Sequence, residues 1–111
     1  MQYQQGDVYI ERINEEIKEK KICKIKKRGW IIAEGETHGH AHRIEDVKNA
    51  EMYEYYDEYL EEKCLLLKIL KNNTEMKHEE HKSIFLDEGL YRVGQINEYD
   101  PFEKYERKVM D

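Results

Sequence analysis

The sequence predicts a small all-β domain, a barrel or a sandwich with at most short helical turns. Short runs rich in β-branched and aromatic residues recur along the chain, and turn-forming residues separate them. The length of 111 residues fits one domain, so we expect residues 1–111 to fold as a single unit. Aromatic residues make up 11% of the chain, which favours a packed core despite a charged fraction of 40%.

The N-terminal part predicts a strand, a hairpin and an extended segment. Residues 8–13 are β-branched and aromatic, which is typical of a strand, and the polar residues 14–21 predict a helical turn or a loop. Residues 22–27 alternate imperfectly, and residues 30–33 are expected to return from them as the second strand of a hairpin. Residues 40–44 are predicted to be extended.

The segment 51–70 has two interpretations. Its tyrosines could form the apolar stripe of a helix, or the segment could form two strands joined by a charged turn, which we favour because Tyr and the run Cys64 to Leu70 suit buried strands. The tyrosines then pack across strands, although they could also line a pocket or an interface such as that of a homodimer.

The C-terminal part predicts three further strands. Residues 83–86 form a short strand, and a tight turn at Asp87-Glu88-Gly89 leads into residues 90–96, which alternate well. Residues 105–109 are expected to add an edge strand after the break at Asp100-Pro101.

Charge and the absence of targeting signals restrict the partners and the location. A net charge of −6 argues against general DNA binding, because attraction to phosphate needs a basic face. The basic residues 18–28, followed by Trp30, could contact RNA, but lysines guarding a strand edge are the favoured explanation. No signal peptide or apolar span is present in the sequence, and Cys23 and Cys64 lack CxxC spacing, so we expect a cytoplasmic protein with reduced thiols and no membrane partner.

The five histidines fall in two tight groups, which indicates one functional site. In the first group, His40 and His42 are two apart and would share a face of a strand, whereas His38 precedes a glycine and is expected to be an outer neighbour. In the second group, His78 and His81 are three apart and would share a face of a helical turn entering the strand at residues 84–86. Histidines that were scattered on the surface by chance would not cluster in this way.

Imidazoles and carboxylates in such clusters favour a divalent transition metal, namely zinc, iron or manganese. The predicted ligands are His40, His42, His78 and His81, with Glu79 or Glu80 as a base or a fifth ligand. A metal-free acid–base site is the alternative, in which Arg43 and Lys82 hold a phosphate and histidines cleave RNA. Exposed histidines without any ligand are the remaining explanation.

The two histidine groups also carry a resemblance to an uncharacterised family of small bacterial and phage proteins. It rests on the motifs Ala33-Glu34-Gly35-Glu36-Thr37, Gly39-His40-Ala41-His42-Arg43 and His78-Glu79-Glu80-His81, and on the segment from Ile84 to Pro101. The resemblance implies that both histidine motifs belong to a shared site, that His38 is secondary, and that the middle segment is a hairpin. No established activity comes with it.

A looser similarity is to cupins, small β-barrels that hold a metal with an HxH pair, a nearby carboxylate and a later histidine. Here His40 and His42 match the pair and Asp46 takes the carboxylate's place, but the Pro-x-Gly expected before the later histidine is missing. We therefore expect a metal-dependent enzyme acting on a small molecule or RNA, with hydrolysis ahead of oxygen chemistry. The alternatives are a metal-free RNase-like enzyme and a non-catalytic binding or inhibitor module of phage or bacterial origin.

Overall fold

Strands dominate the computed structural model, which describes residues 2–35 and 37–95. The strands are β1 (Gln2–Gln5), β2 (Val8–Ile13), β3 (Lys21–Ile22), β4 (Trp30–Glu34), β5 (Ala41–Ile44), β6 (Ala50–Asp57), β7 (Glu62–Ile69), β8 (Thr74–Met76), β9 (Ile84–Leu86) and β10 (Gly89–Gln95). A 3-10 turn at Val47–Asn49 is the one helical element in this part of the chain. The all-β class predicted from the sequence is therefore confirmed.

Six strands form an antiparallel sheet in the order β1-β2-β10-β7-β6-β3. Strand β10 lies inside the sheet, because it pairs with β2 on one side and with β7 on the other. Over the described residues this sheet ends in two edge strands, β1 and β3, so it does not close into the barrel that was one of the two predicted architectures.

The β6–β7 hairpin confirms the strand interpretation of residues 51–70. Ala50 lies opposite Ile69 and Asp57 opposite Glu62, and a turn at residues 58–61 joins the strands. The apolar run in β7 is buried on both faces of the sheet: Leu67 belongs to the main core, whereas Leu66 belongs to a smaller cluster on the other face. Burial on both faces explains why this strand shows no alternation of apolar and polar residues.

Two small sheets, β4-β5 and β8-β9, share the main core with the large sheet. Strand β4 contributes Trp30 and Ile32, strand β5 contributes Ile44, and β8 and β9 contribute Met76 and Leu86. The two small sheets are also joined to each other, because the backbone groups of Arg43 and Lys77 exchange two hydrogen bonds of 2.8 and 3.0 Å. This bridge brings the end of β8 beside β5. It therefore also brings the histidine group that follows β8 close to the histidine group at β5.

Several predictions about single strands need correction. The predicted hairpin of residues 22–27 and 30–33 is wrong, because β4 pairs with β5. Among residues 22–27, β-pairing is limited to Ile22 at the end of β3 and to one bridge from Lys26 to Gly29. The reason is burial, because Trp30 and Ile32 belong to the core next to Ile44, whereas the lysine-rich segment stays exposed. Strands β1 and β8 were not predicted. The strand predicted at 105–109, and residue 96 of the preceding one, lie outside the described residues.

Within the described part of the chain, the structure contains no helix long and apolar enough to cross a membrane.

Candidate histidine site

Strand β5 places a histidine at the end of the core. Residues 42 and 44 share a face of this strand, and Ile44 on that face is fully buried in the main core. His42 continues the same face and is only 1% exposed. A buried imidazole needs hydrogen-bonding partners for both ring nitrogens, and these come from the β1–β2 hairpin.

The structure brings the two histidine groups together. The ring centroid of His78 lies 4.3 Å from that of His42 and 4.6 Å from that of His81. The rings of His42 and His81 are nearly parallel, with their planes at 9° and their centroids 6.0 Å apart. His40 joins from the edge, with its centroid 6.1 Å from that of His78. His38 is exposed in the turn before β5 and has no ring contact with these four among the described residues.

Gln5 fixes the tautomer of His42. The side chain of Gln5 is buried, and its amide nitrogen donates to the carbonyl oxygens of Met76 (3.0 Å) and Lys82 (2.8 Å). Both protons of that amide are therefore used, and its oxygen, 2.9 Å from His42 Nδ1, must accept the Nδ1 proton. A neutral His42 then has a bare lone pair on Nε2.

The β1–β2 turn brings a carboxylate to this lone pair. Asp7 Oδ1 lies 3.3 Å from His42 Nε2, and its other oxygen accepts a 2.9 Å hydrogen bond from the side chain of Gln95. Gly6, just before Asp7, has a φ of 60° and lies against His81, because a Cβ atom on Gly6 would be 2.5 Å from His81 Nε2. His42, Asp7 and His81 therefore meet at this turn.

Burial keeps the central histidines neutral. The pKa of His42 is lowered from its ordinary value first by burial and then by the neighbouring His78, against which Asp7 acts in the opposite direction. The pKa of His78 is lowered by burial and by His81. Neutral imidazoles keep the lone pairs that bind metal ions or accept protons.

His40 is paired with a carboxylate at the exposed side of the cluster. Its Nδ1 lies 2.6 Å from Glu80 Oε1, and this hydrogen bond is the main reason why the pKa of Glu80 is lowered. The side chain of His40 is 28% exposed, so Nε2 is the nitrogen left for a ligand or a proton. The backbone N–H of Glu80 donates to His78 Nδ1 (3.0 Å), which places the proton of a neutral His78 on Nε2.

Glu79 and Arg43, two residues predicted to act in catalysis, hold the second histidine group onto β5. Glu79 accepts the backbone N–H of Ala41 (3.0 Å), and its carboxylate forms ion pairs with Arg28 and with Arg43 (3.0 Å to the latter). The Ala41 hydrogen bond first, and then the arginines, lower the pKa of Glu79 to about 2. Arg43 also donates to Glu45 and to the Ala41 carbonyl oxygen, so its guanidinium is committed within the protein.

Four of the residues that build this site were not predicted: Gln5, Asp7, Arg28 and Gln95. Only Gly6-Asp7 carried a local signal, because it is a turn sequence directly before the first predicted strand. The role of the other residues depends on contacts between segments that are far apart in the chain.

The described residues, 2–35 and 37–95, contain no three His, Cys, Asp or Glu side chains whose donor atoms already surround one ion position. Binding a metal here therefore requires side chains to rotate. His81 is exposed and His78 is half-buried, so both rings have room to move, whereas Gln5 holds His42 in place.

Comparison with known proteins gives a family without a known activity. No curated protein and no solved structure matches the chain. One family model, described as a domain of unknown function (DUF8820), matches residues 4–96 and thus spans both histidine groups and the β1–β2 turn. Because the match covers most of the 111 residues, the chain belongs to this family, DUF8820.

Proposed function

We propose that the protein is a metal-dependent hydrolase whose histidine cluster binds one divalent transition metal ion, zinc, iron or manganese. One observation carries the proposal: three imidazoles from two distant segments are in mutual ring contact, and the most buried one, His42, presents a bare Nε2 lone pair 3.3 Å from Asp7 Oδ1. Neutral imidazoles with lone pairs are the ligands that such ions prefer.

The ring spacing supports a shared ion. With a metal–nitrogen distance of about 2.1 Å, each ring centroid lies about 3.2 Å from the ion, so two rings on one ion are at most about 6.4 Å apart. The contacts of His42, His78 and His81 range from 4.3 to 6.0 Å and satisfy this limit. The proposal therefore has the His78 and His81 rings rotate about their side-chain bonds to bring their nitrogens towards His42.

The His40–Glu80 pair supports hydrolysis over oxygen chemistry. A bound metal of this kind polarises the substrate and makes water more acidic. Glu80 holds the Nδ1 proton of His40, so Nε2 is free to take a proton from the attacking water and to return it to the leaving group. Thus Glu80 orients the base, and Glu79 keeps the segment in place. A small molecule or RNA remains the proposed substrate.

Metal content tests the proposal directly. Untagged protein, loaded with zinc, iron or manganese and dialysed, should retain about one equivalent of one of these ions. His42→Ala and His81→Ala should each retain less than about a tenth of an equivalent, while the control His38→Ala behaves like the wild type. The metal-loaded wild type should also hydrolyse bis(p-nitrophenyl) phosphate or p-nitrophenyl acetate, and EDTA should stop the reaction. Wild-type protein that retains none of these metals would contradict the proposal.

A metal-free acid–base enzyme that cleaves RNA is the second candidate. The His40–Glu80 pair next to His78 favours it, because a carboxylate-oriented imidazole and a second imidazole 6.1 Å away can serve as base and acid. Arg43 does not support the phosphate-binding role that this candidate assigns to it, since its guanidinium is already paired. RNA cleavage that persists in excess EDTA would favour this candidate.

A non-catalytic binding or inhibitor module is the remaining alternative, and a partner protein captured equally well by all histidine variants would favour it.

We place the protein in the cytoplasm of a bacterium or of a phage-infected cell. The resemblance to small bacterial and phage proteins supports this location, as do Cys23 and Cys64, which are both unpaired.

A further inference from the structure

From the geometry of the β1–β2 turn we infer that Asp7 is a ligand of this metal, and that the ion is bound by two histidines and one carboxylate: His42, His81 and Asp7. The inference rests on the proposed function, because it presupposes a metal in the histidine cluster. It adds a ligand from the N-terminal hairpin, and it replaces the predicted four-histidine set with a mixed one.

The distance between Asp7 Oδ1 and His42 Nε2 is that of two ligands on one ion. At 3.3 Å it is longer than a normal hydrogen bond between nitrogen and oxygen. Two donor atoms that are each about 2.1 Å from an ion lie about 3.0 Å apart in octahedral and about 3.4 Å apart in tetrahedral coordination. The observed spacing falls between these two values, so neither side chain needs to move far to share an ion.

The hydrogen bonds around this pair leave both atoms as acceptors. His42 carries its proton on Nδ1, where Gln5 accepts it, so Nε2 presents a lone pair. Asp7 Oδ1 also presents lone pairs when the carboxylate is ionised, while its other oxygen is bound to Gln95. Two acceptors that face each other require a positive charge between them, either a proton or a cation. The 3.3 Å between the two atoms is longer than a normal hydrogen bond through a proton and therefore favours the cation.

His81 supplies the second imidazole better than His78 does. The Nε2 atom of His81 is packed against Gly6, next to Asp7, and its ring lies parallel to that of His42. His78, in contrast, accepts the Glu80 N–H on Nδ1, so that its Nε2 carries the proton and has no lone pair. Two imidazoles and one carboxylate leave coordination positions open for water and substrate, as in catalytic zinc and non-haem iron sites.

Cobalt(II) titration of the metal-free protein tests this ligand set, with visible absorption and competition against zinc as readouts. Loss of a group that merely orients a ligand costs 10–100-fold in metal affinity, so Asp7→Asn should cost at least about 100-fold and should change the cobalt spectrum. Asp57→Asn is the matched control: it makes the same change in a carboxylate that accepts the Leu60 N–H in the β6–β7 turn, and should leave affinity within about twofold.

X-ray absorption of the zinc-loaded wild type provides a test that needs no variant. A first shell with two imidazoles and the remaining ligands oxygen supports the mixed set, and a shell with three or four imidazoles overturns the inference. If Asp7→Asn binds cobalt with wild-type affinity and spectrum, Asp7 is not a ligand and the hydrolase proposal survives. If the wild type binds none of cobalt, zinc, iron and manganese, both proposals fail.

Discussion

At the scale of single residues, Gly6 controls the position of His81. Replacing Gly6 with Ala would place a methyl carbon 2.5 Å from His81 Nε2, in a backbone with a φ of 60° that disfavours any L side chain. Because His81 is exposed, its ring can swing away at little cost in stability, but it then leaves the position beside Asp7. We expect Gly6→Ala to weaken zinc binding at least about tenfold, through the disturbed orientation of a ligand, and to lower the free energy of unfolding by about 1–2 kcal/mol.

Gly39→Ala is the matched control for this prediction. Gly39 has a φ of 84°, but no atom outside Gly39 and its two chain neighbours lies within 4 Å of the added methyl carbon. The variant should share the cost of the left-handed backbone, about 1–2 kcal/mol in urea unfolding with EDTA present, and should retain wild-type zinc affinity. Equal zinc affinities for the two variants would contradict the role given to Gly6.

The histidines of the site could be predicted from sequence, but their partners could not. His40 and His42 stand two apart and His78 and His81 three apart, and spacing of this kind is a local signal. Gln5 is different, because a glutamine in a polar N-terminal segment looks like a surface residue. Its importance comes from three hydrogen bonds to His42, Met76 and Lys82, all more than thirty residues away.

At the scale of elements, the sequence predicts those strands whose residue pattern repeats within one strand or one hairpin. Strand β2, the β6–β7 hairpin and β10 were predicted because β-branched and aromatic residues alternate or run together there. The pairing of β4 with β5 was not predicted, because it depends on which face of each strand is buried. Trp30 and Ile32 of β4 share the core with Ile44 of β5. Strand β1, with the sequence QYQQ, has too few apolar residues to be recognised.

The segment between β8 and β9 depends on one carboxylate for its attachment to β5. Glu79 accepts the Ala41 N–H and pairs with Arg28 and Arg43, so Glu79→Gln should loosen the contact between the two histidine groups. We expect faster hydrogen exchange at the Ala41 amide, measured by NMR at neutral pH, because an amide oxygen is a weaker acceptor than a carboxylate. Glu58→Gln, an exposed change in the β6–β7 turn, is the control and should leave that amide unaffected. Unchanged exchange at Ala41 in Glu79→Gln would rule out this attachment.

At the scale of the whole molecule, the histidine cluster links folding stability to pH. Burial and the neighbouring imidazoles hold the pKa values of His42 and His78 below the ordinary value of 6.5, so the unfolded chain binds protons more readily than the native protein does. The contribution of these two histidines to the free energy of unfolding is therefore fully present above pH 6.5, and it is lost as the pH falls through their lowered pKa values. A second loss begins below pH 4.5, where Glu79, with a pKa of about 2, is still ionised in the native protein but takes up a proton in the unfolded chain.

Urea unfolding in EDTA between pH 5 and pH 8 measures the first of these losses without interference from metal. The free energy of unfolding of the wild type should fall as the pH drops below 6.5, and His78→Gln should show a shallower fall, because it removes one titrating imidazole and relieves its repulsion on His42. His38→Gln removes a histidine that lies outside the ring contacts and should keep the wild-type slope. Equal slopes in His78→Gln and the wild type would mean that the cluster does not couple protonation to folding. A wild type that becomes more stable as the pH falls would reverse the sign and contradict the neutral state assigned to His42.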